Sequence, residues 1–198
     1  MPGSPPDTTT LEARRPVESA EDTRTETPEV NAEGLLFDLS GLDLGRTIVD
    51  RAGLERYLPH RGTMLQLDGI LWQNEAKTRV VGVKRVRDDE FWVAGHFPGR
   101  PMLPGVLMVE TAAQLAAYLF NIRQPEPQLA AFLRIESCVF RKSVSPGDTL
   151  LILCQEHKIG RRRFTSDVQG VVEGQPTFEA RASGIALGPF RGTVTGQP

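Results

Sequence analysis

The chain is short of cysteine, tryptophan, tyrosine and long apolar runs, and its charges nearly cancel. Two cysteines, Cys138 and Cys154, among 198 residues cannot supply a disulfide framework. No CxxC or Cys/His cluster has metal-ligand spacing, so nothing calls for a structural or catalytic metal. Both thiols fall in strand-like apolar runs, where they are expected to be buried small hydrophobes. The most apolar window, Val106 to Phe120, is interrupted by Glu110, Thr111 and Gln114 and falls short of a membrane span. The first 30 residues hold no secretory apolar stretch, so a cytoplasmic protein without membrane insertion is expected. A formal net charge of −2 gives no reason to expect a nucleic-acid partner.

That overall charge hides an uneven distribution. Residues 1–34 hold eight acidic and three basic residues, several prolines and almost no bulky apolar side chain. Such a segment cannot bury enough surface to offset its ordering entropy, so a disordered tail is expected there. The remainder carries 20 basic and 17 acidic residues, a net of +3, so the folded part is mildly basic. One domain over 35–190 and a flexible C-terminus over 191–198 complete the expected organisation.

Within the domain, Ile48, Val49, Ala52, Leu54 and Tyr57 predict a short amphipathic helix over 45–57, ending before Pro59. Leu65 to Trp72, Thr78 to Val86 and Phe91 to Ala94 read as strands. From Gly105 to Asn121 the residues are apolar almost all the way round a helix, which must therefore be surrounded by protein. Four β-rich runs follow: Leu129 to Val144, Thr149 to Lys158, Phe164 to Val172 and Thr177 to Leu187. In the last, Phe178, Ala180, Ala182, Gly184 and Ala186 share one mostly small face, against which a helix can lie close. The expected fold is α+β, a curved and mostly antiparallel sheet wrapped around one long central helix.

One stretch carries chemistry: Gly95-His96-Phe97-Pro98-Gly99-Arg100-Pro101-Met102-Leu103-Pro104-Gly105-Val106-Leu107-Met108-Val109-Glu110. Prolines and glycines restrict the loop after His96, so its imidazole can be held as a base. Glu110, inside an apolar helix, is expected to be buried in a setting that favours the neutral acid. Gln114, at i+4, shares its face and can hydrogen-bond the carboxyl. The Gly105 and Val106 amides lie in the first helical turn, free of intrahelical acceptors, where a carbonyl oxygen gaining charge could be held. Base, acid and oxyanion site together suit removal of a proton α to a carbonyl with loss of a β-hydroxyl as water. A buried Glu and a loop His with purely structural partners remain the alternative.

At these residues the chain resembles the 3-hydroxyacyl-acyl-carrier-protein dehydratases of type II fatty acid synthesis, members of the hot-dog superfamily. The resemblance runs from about residue 46 to 187. It rests on Gly95-His96-Phe97-Pro98, on Pro104-Gly105-Val106-Leu107, and on Glu110 and Gln114, with the family's 14-residue step from His to acid. Leu58-Pro59-His60-Arg61, Asp68, Phe140-Arg141-Lys142 and Pro146-Gly147-Asp148 extend it. It implies that His96 acts as the base at C2, that Glu110 protonates the departing 3-hydroxyl, and that the Gly105 amide bonds the thioester carbonyl. No metal or redox cofactor is implied. An acyl carrier protein bearing the substrate is the implied partner, with sites completed across the interface of a homodimer or higher assembly.

A sister branch that also isomerises its product has Asp where this chain has Glu110, which favours the dehydratase-only branch. Gly62, Thr63 and Arg134 depart from the family's usual residues, and Thr111 stands for a usual alanine. His60 is expected to be structural and His157 exposed or paired. Lys158, Arg161, Arg162 and Arg163 form the densest basic cluster, a solvated surface or a docking rim for an acidic carrier. The rival readings are an acyl thioesterase of the same fold, with Glu110 activating water, and a noncatalytic acyl-binding or scaffold subunit. No Gly-x-Ser-x-Gly elbow or Cys/His pair supports nucleophilic catalysis.

Overall fold

The computed structural model describes residues 30–190. The tail expected over 1–34 therefore lies almost wholly outside the described residues, as does the expected C-terminal segment 191–198. Seven strands run antiparallel to their neighbours: β1 (Val49–Asp50), β2 (Gly69–Gln73), β3 (Arg79–Arg85), β4 (Gln128–Phe140), β5 (Thr149–Ile159), β6 (Arg163–Val172) and β7 (Gln175–Pro189). Their order across the sheet is β1-β2-β3-β5-β6-β7-β4. Helix α1 (Arg51–Leu54) follows β1, and helix α2 (Gly105–Asn121) joins the first three strands to the last four.

The C-terminal half of α2 is enclosed as its composition requires, every residue from Gln114 to Asn121 being buried, whereas Val106 in the first turn is exposed. Side chains on β3 and β5 alternate between the sheet's two faces. Val80, Ile152 and Cys154 pack in the cluster with α2, whereas Val81 and Leu153 belong to a second cluster. At its C-terminal end the Asn121 amide donates to the Tyr57 and Gln128 carbonyls (2.7 and 3.0 Å), tying α2 to the start of β4.

The expectation of a curved sheet wrapped around the helix is corrected. The arrangement is hot-dog-like, one antiparallel sheet with one long helix, but the sheet is neither curled nor closed. It ends in two separate edges, β1 and β4. The helix does not depend on the sheet for its remaining cover, because connecting segments supply it. Leu54, Leu58, Leu65, Leu67, Val86, Trp92 and Leu103 all join the cluster around α2.

Two local expectations also change. The helix expected over 45–57 shrinks to α1, because Val49–Asp50 pairs with β2 and the Asp50 carboxylate caps the turn, accepting from the Gly53 amide at 2.8 Å. Phe91 to Ala94 is turn rather than strand: Val93 N–H bonds the Glu90 carbonyl, and the Gly95 and His96 amides bond that of Trp92. Glu90 anchors this turn from below. Burial alone would raise its pKa, but hydrogen bonds from the Lys84 ammonium (2.8 Å), the Arg87 amide (3.0 Å) and the Trp92 indole (3.0 Å) bring it below the usual value.

A segment unremarked in the sequence covers the sheet face opposite α2. Leu35, Leu36 and Phe37 pack on Val81, Leu153 and Val171. Gln169, fully buried, clamps the segment by accepting from the Leu36 amide (2.9 Å) and donating to the Gly34 carbonyl (2.8 Å).

Candidate active site

The loop before α2 is held at both ends. The Met102 amide donates to the His96 carbonyl (2.8 Å) and the Leu103 amide to that of Val144 (2.7 Å). His96 is half-buried, and its Nδ1 lies 2.8 Å from the Met102 carbonyl oxygen. A carbonyl can only accept, so Nδ1 carries the proton and Nε2 keeps a free lone pair. The Phe97 ring stacks on the imidazole with centroids 4.1 Å apart. The loop's composition anticipates a held imidazole, and the contact at Nδ1 holds it.

Pro104 opens α2, and its carbonyl accepts from the Leu107 and Met108 amides (2.9 and 3.2 Å). The Gly105 and Val106 amides precede the first intrahelical donor, as at the start of any α-helix. Glycine at 105 has a packing reason: a Cβ there would stand 2.8 Å from the Phe140 ring, so glycine admits the end of β4.

Glu110 is less buried than expected: its side chain is 28% exposed in the single chain. Gln114 lies on the same face and is buried. Its amide nitrogen donates to Glu110 Oε1 (2.8 Å) and to the Met64 carbonyl (2.7 Å), while its oxygen accepts from the Gln66 amide (2.9 Å). Every polar atom of this side chain is thus used to hold the carboxyl and the segment beside it. Thr111 is accommodated by turning its hydroxyl back to the Leu107 carbonyl (2.7 Å).

A cleft begins at Glu110 and runs between α2 and the strands β4, β6 and β7. Ala113, Ala116, Ala117, Ala130, Ala131 and Ala182 give it smooth apolar walls, with Phe132, Phe164 and Gly184 also in its lining. The small face foreseen on β7 therefore leaves a groove rather than only a bed for the helix. The histidine that lines the cleft beside Glu110 is His60, not His96. Its Nε2 stands 3.4 Å from Glu110 Oε1. Sequence reading set His60 aside as structural. Its motif position was visible, but its proximity to a residue 50 positions away was not.

The family model described as a FabA-like domain matches residues 58–181, more than half of the chain. The chain belongs to that family. Among its relatives, the 3-hydroxyacyl-[acyl-carrier-protein] dehydratase FabZ of Granulibacter bethesdensis is 37% identical over 143 residues, covering 69% of this chain and 84% of the relative. FabZ of Herpetosiphon aurantiacus is 41% identical over 124 residues, covering 62% and 86%. This is accordingly a FabZ-type dehydratase, a lyase of the FabA-like family.

Solved structures share the fold. The dehydratase heterocomplex ApeI:P of Xenorhabdus doucetiae matches with a TM-score of 0.59 at 17% identity, over 67% of this chain and 90% of that one. A mutant thioesterase, PA1618 of Pseudomonas aeruginosa, matches at 0.55 and 16%, over 73% and 98%. Fold alone thus spans both reactions, and the assignment to FabZ-type dehydratases rests on sequence.

Around this FabZ-type centre, the other singled-out residues divide. Lys158 and Arg163 line a second cleft with Arg134 and Glu136, which shares Phe164, Ser183 and Gly184 with the lining of the first. Arg162 instead turns its guanidinium to the Ala186 carbonyl (3.1 Å), and Arg161 is exposed. His157 Nδ1 lies 3.5 Å from the Asp167 carboxylate. Cys154 is buried, and burial pushes its thiol up to about 12; the half-buried Cys138 is raised by the same cause. Among the described residues no group of three or more His, Cys, Asp or Glu side chains could hold a metal. No helix there is long and apolar enough to cross a membrane.

Proposed function

We propose that this chain dehydrates (3R)-3-hydroxyacyl thioesters of acyl carrier protein to trans-2-enoyl thioesters, with His96 as base and Glu110 as acid. Dehydration follows from FabZ-type membership; the atomic roles rest on the geometry. His96 Nε2 takes a proton from C2, and the C2 electron pair forms the double bond to C3. Glu110 protonates the departing 3-hydroxyl, which leaves as water. The Gly105 and Val106 amides hold the thioester oxygen as charge builds on it. The acyl chain lies in the alanine-walled cleft leading from Glu110.

In one chain the cleft carries Glu110 without His96. Strand β4 has one free edge, bordering that cleft and bearing exposed Leu133 and Ile135. We place a second copy there, its loop supplying the imidazole, so that a homodimer carries two equivalent sites. Lys158 and Arg163, joined by Arg161 and Arg162, form a basic rim next to the cleft that suits an acidic carrier. What supports the assignment is the Gln114-held Glu110 carboxyl lining an apolar cleft, on the same chain as a loop that fixes the His96 tautomer.

The test is turnover of a 3-hydroxyacyl carrier-protein thioester, followed by loss of water from the acyl mass. His96→Ala and Glu110→Gln are each expected to lower kcat by about a hundredfold or more, with circular dichroism unchanged. Release of free carrier thiol instead of enoyl product would replace this reading with the thioesterase one.

A further inference from the structure

Beyond the acid and base, a half-buried histidine lining the same cleft has no part in the reaction as written. His60 sits between Pro59 and Arg61 in a segment locked by the Arg61 guanidinium, which donates to the carbonyls of Leu58 (2.7 Å), His60 (2.7 Å) and Glu55 (3.1 Å). The backbone of His60 is therefore fixed, and its ring is carried to the cleft beside Glu110. A histidine retained for packing would satisfy both ring nitrogens. Here Nδ1 is buried with no hydrogen-bond partner among the described residues, and Nε2 is the nitrogen directed at the carboxyl of Glu110, 3.4 Å from Oε1.

Resting on the dehydratase reading, we propose that His60 is a positioning residue for Glu110. Its Nε2–H is the donor that, with Gln114, holds Oε1 and leaves Oε2 to carry the transferred proton. Burial lowers the pKa of His60, the Glu110 charge opposes this, and the Arg61 charge adds to it; the ring is thus neutral near pH 7 and has one N–H to place. No acceptor faces Nδ1, so the proton belongs on Nε2, toward the carboxyl. A separation of 3.4 Å is longer than a formed hydrogen bond. It closes when Glu110 gives up its proton to the leaving hydroxyl, because a charged acceptor draws the donor in. Gln114 and His60 then hold the same oxygen, and the carboxylate is returned to one orientation for the next turnover. The charged groups around His60 are Glu110 on α2 and Arg61 in its own segment, the latter paired with Glu55 (3.4 Å).

The experiment compares the full chain with its His60→Ala, His60→Gln and Glu110→Gln variants, by kinetics and by imidazole nitrogen-15 NMR. His60→Ala is expected to lower kcat about tenfold or more, the scale of a hydrogen bond to a charged group, with KM moving less than about threefold. His60→Gln presents an amide N–H where the imidazole had one, and is expected to recover most of that loss. In the spectra His60 is expected as the neutral Nε2–H tautomer at pH 7, titrating below the ordinary histidine range. Its Nε2 resonance is expected to move in Glu110→Gln, since the carboxyl oxygen facing that nitrogen is replaced by an amide. A kcat for His60→Ala within about twofold of wild type overturns the proposal, as does a His60 resonance indifferent to Glu110→Gln. Should the wild-type chain form no enoyl product, the dehydratase reading fails by itself and the spectra alone decide the contact. Should His60→Ala not fold, His60→Gln and the spectra decide it.

Discussion

Gly184 is a side chain left out so that a ring can be let in. A Cβ on it would fall 2.3 Å from the Phe164 ring, which stacks on Phe120 with centroids 4.7 Å apart. Phe164 has no room to retreat toward the helix, and it also lines the cleft. Gly184→Ala is therefore expected to displace the ring into the groove. The cost in stability is about 1–3 kcal/mol by urea unfolding. The variant should also prefer shorter acyl chains, measured as kcat/KM across a series of carrier-linked substrates. Unchanged preference in a variant of lowered stability would show that Phe164 yields elsewhere. At this scale the sequence was informative where chemistry is local. His96 sits in a proline- and glycine-bound loop, and Gln114 stands one helical turn from Glu110; both contacts are set by spacing along the chain. The approach of His60 to Glu110, and of Phe164 to Gly184, depends on packing between segments far apart in sequence. No pattern of residues within either segment announces it.

Elements show the same division. Helix α2 is legible because an all-apolar helix has one physical solution, enclosure. The short helix was overextended because the residues around Asp50 have helical spacing, whereas pairing of Val49 and Asp50 with β2 is a tertiary event. The stretch from Leu35 to Leu44 has leucines without a helical or strand period, so it gave no signal, yet it covers one face of the sheet. Phe37 is its anchor: buried, 6.0 Å from the Trp72 ring, with the Arg79 guanidinium 5.6 Å over its own. Phe37→Ala is expected to cost about 3 kcal/mol in denaturant unfolding, the lower end for a buried phenylalanine. Because this face is opposite α2, turnover per folded molecule should be unaffected. A matching loss of kcat at full folding would show that the two faces are coupled.

For the whole molecule, the sheet's openness matters more than its strand count. Alternation along a strand sets which side chains face the helix, but it does not dictate whether the sheet curls, so the expected wrapping was not readable from periodicity. What remains is a 13-residue edge strand, β4, with Leu133 and Ile135 exposed beside a cleft that holds Glu110 but not His96. A long apolar edge invites pairing with another chain. If that chain is a second copy whose loop completes the cleft, inactive variants should rescue one another. Mixed in equal amounts, unfolded and refolded together, His96→Ala and Glu110→Gln chains assort at random, and half of the dimers are hybrids. Each hybrid has one site with both defects and one with neither, so about a quarter of all sites are intact, and activity should recover to about a quarter of wild type. Were base and acid supplied by one chain, every hybrid site would carry a defect and the mixture would stay inactive. Adding Ile135→Glu to both chains puts a charge on the edge itself. It is expected to abolish the rescue together with the dimer, as read by sedimentation, because the recovered activity depends on the contact between copies and not on either chain alone.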